Sequence, residues 1–263
     1  MTRDIRFALM GLGNVGLNVL RILEQKQQRF QEQYNLSFRL VCVSDSSGVA
    51  VNPDGYDLAA TISAKENGVP VRRLHGYWPD MTPGDVFAAD FDCDLLLDAS
   101  PVNLDTGQPG LGAARMALRQ GVHVVLANKA PLVLAFSELR QLSQTYHSRL
   151  AYSATVCGAL PVVNIGQRDL VAAEITSLRG IFNSTTNYIL DAMTDGVTYD
   201  DALEEAQKRG LAETDPTLDV EGWDTANKLV IIANSFLGMQ ASLDDVSVQG
   251  ITNLTAEELQ AAR

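Results

Sequence analysis

Two oppositely charged side chains, Asp224 and Lys228, lie four residues apart in a stretch of helical composition. At this spacing a helix presents a carboxylate and an ammonium on one face, one turn apart. Most such pairs are exposed ion pairs that contribute little to stability. Here three further acids, Glu213, Asp215 and Asp219, precede the pair, and acids spaced so closely require cations. The pattern favours a site for the cationic group of a small molecule, with the exposed ion pair as the alternative.

A second candidate for chemistry is the glycine turn Gly11-x-Gly13-x-x-Gly16, which joins an apolar run at residues 5–10 to a stretch with helical spacing. In that context the first glycine permits a tight turn, the second admits a pyrophosphate and the third lets the helix pack on the strand. The helix N-terminus adds N–H groups that attract phosphate. The turn predicts a dinucleotide site, and a purely structural turn is the alternative. The predicted contacts are Gly11, Gly13, Asn14, Val15 and Gly16.

The choice between NAD and NADP depends on Asp45, which follows the predicted strand at residues 38–44. An acid at this point can bind the ribose 2′-hydroxyl and repel a 2′-phosphate. No Lys or Arg occurs between Ser46 and Gly55, where a phosphate clamp is expected, so the sequence favours NAD. However, Asp45 can also be an ordinary Asx-turn residue. Three later cations could reverse the preference: Lys65, Arg72 and Arg73.

Composition excludes several functional classes. The formal net charge of −12 leaves no basic stripe for a nucleic acid. The three cysteines lack metal-site spacing and fit free thiols in a reducing cytoplasm. No apolar stretch reaches the roughly 18 residues that a membrane-spanning helix needs. We expect a soluble, cytoplasmic protein without nucleic-acid or membrane partners.

The elements that must position these residues alternate between strands and helices. Continuous apolar runs predict buried strands at residues 5–10, 38–44, 94–100 and 122–127. A segment of helical composition at residues 112–120 separates the last two strands. The alternation predicts an α/β Rossmann fold with a doubly wound parallel sheet. Residues 49–92 contain loop-forming Pro and Gly and give no clear period.

Pro131 marks the predicted boundary between a nucleotide-binding domain, residues 1–131, and a second domain, residues 132–263. The second domain mixes helical and extended stretches and is predicted to be α+β. Its helices are predicted at residues 135–146, 185–194, 199–209 and 220–237, and its extended stretches at residues 150–156 and 174–183.

Four segments together resemble the homoserine dehydrogenases. They are residues 127–132 (ANKAPL), 154–161 (ATVCGALP), 183–190 (NSTTNYIL) and 206–228 (AQKRGLAETDPTLDVEGWDTANK). The last is similar throughout to the family's signature, and the resemblance extends along the whole chain. It implies an NAD(P)-dependent enzyme that interconverts L-homoserine and L-aspartate 4-semialdehyde in threonine and methionine biosynthesis. It also implies a homodimer whose second domain binds substrate.

The resemblance assigns roles to particular residues. Hydride transfer to a carbonyl creates an alkoxide that needs a cation and a proton. We expect Lys228 to be the proton donor and Lys129 the polarising partner beside the nicotinamide. Glu213 and Asp224 are expected to bind the substrate ammonium, with Asp219 supporting the lysines. The other implied contacts are Asn183 and Thr185 to the substrate, and Ser100, Pro101, Asn128 and Lys129 to the cofactor.

One departure from the family concerns a monovalent-cation site. The family commonly carries Glu just before the segment 154–161, where this chain has Ser153. The backbone carbonyls of Val156 and Gly158 remain as possible ligands for Na⁺. Cys157, between them, is expected to be a small buried filler.

Other interpretations stay open from the sequence. The chain could act on a related amino-acid aldehyde or imine, or be a nucleotide-binding inactive paralogue. Thr255 and Glu258 predict a capping box that starts a helix, and helices seldom stop after two turns. Because the resembled family continues with further strands, we expect a fragment whose second domain has an unpaired sheet edge and whose cleft is open at the nicotinamide end.

Overall fold

The computed structural model describes residues 2–89, 91–158 and 160–262. Within it the chain divides into two compact units, Met1–Thr155 and Val156–Arg263. The predicted boundary at 131/132 lies inside the first unit, where Pro131 is in the first turn of the helix Ala130–Thr145. Proline suits the first turn of a helix, where its missing N–H has no intrahelical partner.

The first unit is built on one seven-stranded sheet. Its strands are β1 (Arg3–Met10), β2 (Leu36–Asp45), β3 (Gly48–Tyr56), β4 (Tyr77–Trp78), β5 (Leu95–Asp98), β6 (His123–Leu126) and β7 (Leu150–Ala151). They lie in the order β4-β3-β2-β1-β5-β6-β7. The neighbouring pairs β2–β1, β1–β5, β5–β6 and β6–β7 are parallel. The chain order reverses between β1 and β5, which makes this junction the topological switch point. The doubly wound Rossmann fold predicted from the sequence is confirmed.

One edge of the sheet is antiparallel, so the sheet is mixed and not wholly parallel as the sequence predicted. β2 pairs with β3, and β3 pairs with β4, in antiparallel fashion. Only Ser46 and Ser47 separate the paired residues Asp45 and Gly48. A connection this short cannot cross over the sheet, so the two strands must form a hairpin.

The described residues of the first unit form six α-helices. They are α1 (Asn14–Gln25), α2 (Gln27–Tyr34), α3 (Leu58–Glu66), α4 (Pro83–Ala88), α5 (Gly110–Arg119) and α6 (Ala130–Thr145). Short 3₁₀ turns lie at Val71–Arg73 and Ser153–Thr155, and the second of these replaces most of the strand predicted at residues 150–156. The unparsed stretch 49–92 holds β3, α3, β4 and α4.

The core of the first unit explains why β1 is apolar throughout its second half. Phe7 and Leu9 are fully buried and pack with Leu20 of α1 and Leu40 of β2. A central strand covered on both faces carries apolar residues without alternation. The glycine turn therefore follows the carboxyl end of a strand in the middle of the sheet.

The second unit is helical in the part that the structure describes. Its helices are α7 (Val162–Asn164), α8 (Ser184–Thr194), α9 (Tyr199–Lys208), α10 (Thr217–Val220), α11 (Trp223–Phe236) and α12 (Ala256–Ala261). Ile189 and Met193 of α8 pack against Ala202 and Ala206 of α9. The capping box at Thr255 is confirmed as the start of α12.

Residues 174–183, which the sequence predicts to be extended, have no regular secondary structure. Between residues 160 and 262 no strand is assigned, so the sheet edge expected in this unit is not found there. A strand needs a paired neighbour to be stable, and the described part of this unit offers none. Among the helices of the described ranges, none is long and apolar enough to cross a bilayer.

Candidate functional site

The three glycines between β1 and α1 have different surroundings. Gly11 has φ +89, and a Cβ there would lie 2.3 Å from the carbonyl oxygen of Ala99. A Cβ on Gly16 would lie 1.9 Å from the carbonyl oxygen of Gly11. At Gly13, by contrast, φ is an ordinary −81 and a Cβ would meet no atom within 4 Å. The first and third glycines are required by packing, whereas the second leaves space that fits an approaching pyrophosphate.

A cavity of about 710 Å³ lies at the carboxyl ends of β1, β2 and β5. Its volume is in the range of small-molecule sites. Because β1 lies between β2 and β5, the glycine turn separates two groups of lining residues. Asp45, Ser46 and Lys65 lie on the β2 side, and Ser100, Pro101 and Pro109 on the β5 side. In this fold the adenosine lies on the β2 side, and the dinucleotide crosses the switch point.

Both oxygens of the Asp45 carboxylate accept hydrogen bonds from the protein. Oδ1 accepts from the N–H of Ser47 at 2.8 Å and from its hydroxyl at 2.5 Å. Oδ2 accepts from Nζ of Lys65 at 2.7 Å. Burial alone would raise the pKa of Asp45, but the hydrogen bonds from Lys65 and Ser47 lower it below its ordinary value. The Asx turn considered in the sequence is present, and an ammonium group lines the adenosine side of the cavity.

The ends of β5 and β6 are connected by buried polar side chains. Asn128 donates through Nδ2 to the hydroxyl of Ser100 at 3.1 Å and accepts through Oδ1 from the N–H of Ala130 at 3.0 Å. Lys129, between those two residues, is the N-cap of α6. Ser100 in turn donates to Asp98, which the sequence analysis missed as a site residue. The sequence signal that could have identified Asp98 is an acid at the end of the otherwise apolar run at residues 95–98.

In the second unit, Asp224 and Lys228 form a buried ion pair. Nζ of Lys228 lies 2.5 Å from Oδ2 of Asp224 and donates to the carbonyl oxygen of Phe182 at 2.5 Å. The lysine side chain is 15% exposed and the aspartate side chain 10% exposed. The alternative of an exposed ion pair is therefore wrong for these two residues. A buried pair is costly to desolvate, so its presence is weak evidence for a gain in stability.

Asn183 brings two of the predicted acids together. Its Nδ2 donates to Oδ1 of Asp219 at 2.6 Å and to Oδ2 of Asp224 at 2.9 Å. Its Oδ1 accepts from the N–H of Thr186 at 2.9 Å and so caps α8, as the helix-capping interpretation predicts. One amide thus orients both carboxylates relative to the start of a helix, a contact that no spacing in the sequence indicates.

Three other sequence-predicted residues lie apart from this cluster or face the protein. The hydroxyl of Thr185 donates to the carbonyl oxygen of Leu211 at 2.7 Å, although a substrate contact was expected. Glu213 is exposed in the loop after α9, and in the described ranges no hydrogen bond joins its carboxylate to Asp224 or Lys228. Asp215 is also exposed, where it accepts hydrogen bonds from Thr217.

The segment proposed to hold a cation begins at Val156, which is buried, and reaches Gly158, which is exposed. Cys157 is only partly buried and has φ +58, so the expectation of a buried filler is wrong. Such a backbone conformation is unusual for a side chain other than Gly, Asn or Asp. As far as the described residues go, no group of three or more His, Cys, Asp or Glu side chains is arranged to hold a metal ion. Backbone coordination of Na⁺ stays a prediction.

Comparisons with known proteins place both units in one family. Residues 11–153 match the family described as "Homoserine dehydrogenase, NAD binding domain", and residues 161–263 match "Homoserine dehydrogenase". The chain is 38% identical to the homoserine dehydrogenase of Methanocaldococcus jannaschii, over 95% of this chain and 74% of that protein. It is 31% identical to the NAD(+)-dependent homoserine dehydrogenase of Pseudomonas canavaninivorans, over 99% and 74%. The crystal structure of homoserine dehydrogenase from Thermoplasma acidophilum superposes with a TM-score of 0.80 at 32% identity, over 96% of this chain and 75% of that one.

Proposed function

Because this chain belongs to the homoserine dehydrogenase family, we propose that it interconverts L-homoserine and L-aspartate 4-semialdehyde with NAD(H) or NADP(H). The observation that carries the proposal is the buried ion pair of Asp224 and Lys228 within the family's segment at residues 206–228. The space beside Gly13 supports the cofactor half of the proposal.

The residues of the chain supply charge and a proton. When bound, the reduced nicotinamide supplies a hydride to the carbonyl carbon of the aldehyde. Lys228 would donate a proton to the oxygen that becomes the hydroxyl of homoserine, and Asp224 would orient that lysine through their ion pair. Lys129 would act as a polarising cation beside the nicotinamide, as the family resemblance implies. Fixed cations aimed at a developing alkoxide are worth more in a partly dry site than in water.

The acids around Asn183 would bind the amino group of the substrate. Asp219 and Asp224 both accept from the side-chain amide of Asn183, and Asp224 also pairs with Lys228. The substrate ammonium would bind beside these carboxylates, with Glu213 closing over it from the exposed loop. Asn183 and Thr185 lie at the start of α8, whose N-terminal N–H groups suit the substrate carboxylate.

A spectrophotometric assay of the purified protein tests the function directly. Homoserine with NAD⁺ or NADP⁺ should yield the reduced nicotinamide, and aspartate 4-semialdehyde should consume it. Activity confined to another amino-acid aldehyde would identify a related dehydrogenase. Cofactor binding without turnover of any of these substrates would identify an inactive paralogue.

We expect NAD to be preferred over NADP in kcat/KM. Asp45 lies where a ribose 2′-hydroxyl is expected, and Lys65 forms an ion pair with it. Substituting Lys65→Gln should then weaken use of NADP⁺ more than use of NAD⁺, because only NADP⁺ carries a 2′-phosphate for the ammonium. Lys26→Gln, outside the cavity lining, is the control. A preference for NADPH of about tenfold or more in kcat/KM would refute the ribose role of Asp45.

Glu213→Gln should raise KM for homoserine more than it lowers kcat. The exposed carboxylate would act by holding the substrate ammonium, which contributes equally before and during the hydride transfer. Steady-state kinetics at saturating cofactor measures both constants, and Glu221→Gln is the matched control on an exposed acid nearby. An unchanged KM would mean that Glu213 faces elsewhere.

We propose three finer features on separate grounds. The chain acts as a homodimer, which is supported by apolar side chains that the second unit leaves largely exposed, Leu160, Val171 and Ile181. It works in the cytoplasm, which fits its free cysteines. It binds Na⁺ through the carbonyls of Val156 and Gly158, as its family resemblance implies.

A further inference from the structure

Asp98 is a buried acid that the proposed chemistry does not use. It ends β5 and is 2% exposed. Its Oδ1 accepts from the N–H of Ser100 at 2.9 Å and from the Ser100 hydroxyl at 2.6 Å. Its Oδ2 is buried and has no hydrogen-bond partner within the part of the chain that the structure describes. Burial raises the pKa of Asp98, and the hydrogen bonds from Ser100 offset this only in part.

The acid anchors a chain of hydrogen bonds that connects two loops. The Ser100 hydroxyl that donates to Asp98 also accepts from Nδ2 of Asn128. Oδ1 of Asn128 in turn accepts from the N–H of Ala130. These bonds join Ser100, two residues after the end of β5, to the first turn of α6. The backbone of Lys129, which lies between Asn128 and Ala130, is therefore fixed from both sides.

The helix α5 begins directly against this acid. A Cβ on Gly110, the first residue of α5, would lie 2.5 Å from Oδ2 of Asp98 and 2.7 Å from Nδ2 of Asn128. Only glycine permits so close an approach. The N-terminal end of a helix also favours a nearby negative charge, which lowers the cost of burying the acid.

An acid at this point is costly if its purpose is packing alone. β5 is otherwise apolar (LLLD), and a buried carboxyl with one unpartnered oxygen is less favourable than an apolar side chain of similar size. The hydrogen bonds of Oδ1 lead only to the two loops at the ends of β5 and β6. A role in holding those loops accounts for its presence.

We propose that Asp98 is a positioning residue for the nicotinamide half of the cofactor. Through Ser100 and Asn128 it fixes the loop at Ser100-Pro101, which lines the cavity on the β5 side, and the backbone at Lys129. The inference rests on the proposed dehydrogenase function. The adenosine half, beside Asp45 and Lys65 on the other side of the glycine turn, does not depend on these loops.

Calorimetric titration with two ligands tests the inference without requiring turnover. NADH carries the nicotinamide, and ADP-ribose lacks it. Asp98→Leu removes the acceptor for Ser100 and should weaken NADH by about tenfold or more while leaving ADP-ribose within about twofold. Asp98→Asn keeps an oxygen for both bonds from Ser100 and should bind NADH within about threefold of the wild type.

Two further variants guard against a purely structural effect. Leu96→Ala, in the same strand, removes buried volume but no hydrogen bond, so it should lower Tm and leave the ratio of the two affinities unchanged. If Asp98→Leu does not fold, Ser100→Ala breaks the bond to Asn128 and should reduce the affinity for NADH selectively. Equal weakening of both ligands in Asp98→Leu, or failure of Asp98→Asn to retain NADH affinity, overturns the positioning role. A wild type that binds neither ligand overturns the dehydrogenase function itself.

Discussion

Replacing Lys228 with methionine should lower kcat for homoserine oxidation by about 10²–10⁴-fold, the usual contribution of a positioned proton donor or acceptor. Methionine fills similar volume but can neither exchange a proton nor stabilise the alkoxide. Affinity for NADH should change little, because the cofactor is proposed to bind the first unit. Steady-state kinetics and a fluorescence titration of NADH measure the two effects. A loss in kcat of less than about tenfold would remove Lys228 as the proton donor.

The chain provides a matched control for this substitution. Lys208 forms the same i,i+4 pair with Glu204, with an Nζ-to-Oε1 distance of 2.6 Å, but both side chains are exposed. Lys208→Met should leave kcat unchanged, because an exposed pair contributes little.

Lys228→Met also removes a cation that pairs with the buried Asp224, which can cost about 3–5 kcal/mol of stability. The double variant Asp224→Asn/Lys228→Met removes both charges of this ion pair. It should recover thermal stability without recovering turnover.

Replacing Gly13 with valine should weaken NADH by at least about tenfold while leaving Tm nearly unchanged. The backbone at Gly13 suits any residue, and a Cβ there meets no protein atom within 4 Å. The new side chain would instead occupy the space that fits the pyrophosphate. Calorimetric titration and thermal unfolding on the same sample separate the two effects.

Gly16→Ala is the opposite case and serves as the comparison. Its Cβ would lie 1.9 Å from the carbonyl oxygen of Gly11, so the helix must shift and Tm should fall. If Gly13→Val binds NADH as well as the wild type, the space beside Gly13 is not the pyrophosphate site. If it unfolds as readily as Gly16→Ala, the glycine is structural.

Features set by local chemistry were predictable from the sequence. The strand, glycine turn and helix at the N-terminus follow from a continuous apolar run and three glycines. The capping box at Thr255 depends only on Glu258, three residues later in the chain. In each case the residues that interact are close together in the chain, so their spacing contains the information.

The features that escaped prediction depend on distant contacts. Asn183 contacts acids 36 and 41 residues away. The sequence named Lys65, Arg72 and Arg73 as cations that could come near the Asp45 site, but only the fold shows that Lys65, 20 residues away, pairs with Asp45. Thr185 has the right residue type for substrate binding, but its hydroxyl is already used by the carbonyl of Leu211. Residue type and spacing cannot reveal such partners, because the packing of distant elements determines which residues meet.

Both outer strands of the sheet, β4 and β7, are only two residues long, and this has a consequence for self-association. An exposed strand edge is a template on which another chain can add its own strand, and short edges reduce that risk. β3 extends beyond its pairing with β4, but its uncovered part contains Pro53, which has no N–H to offer, and the charged Asp54. The sheet therefore gives an incoming strand little continuous backbone to join. We expect this unit to resist edge-to-edge aggregation even at high protein concentration.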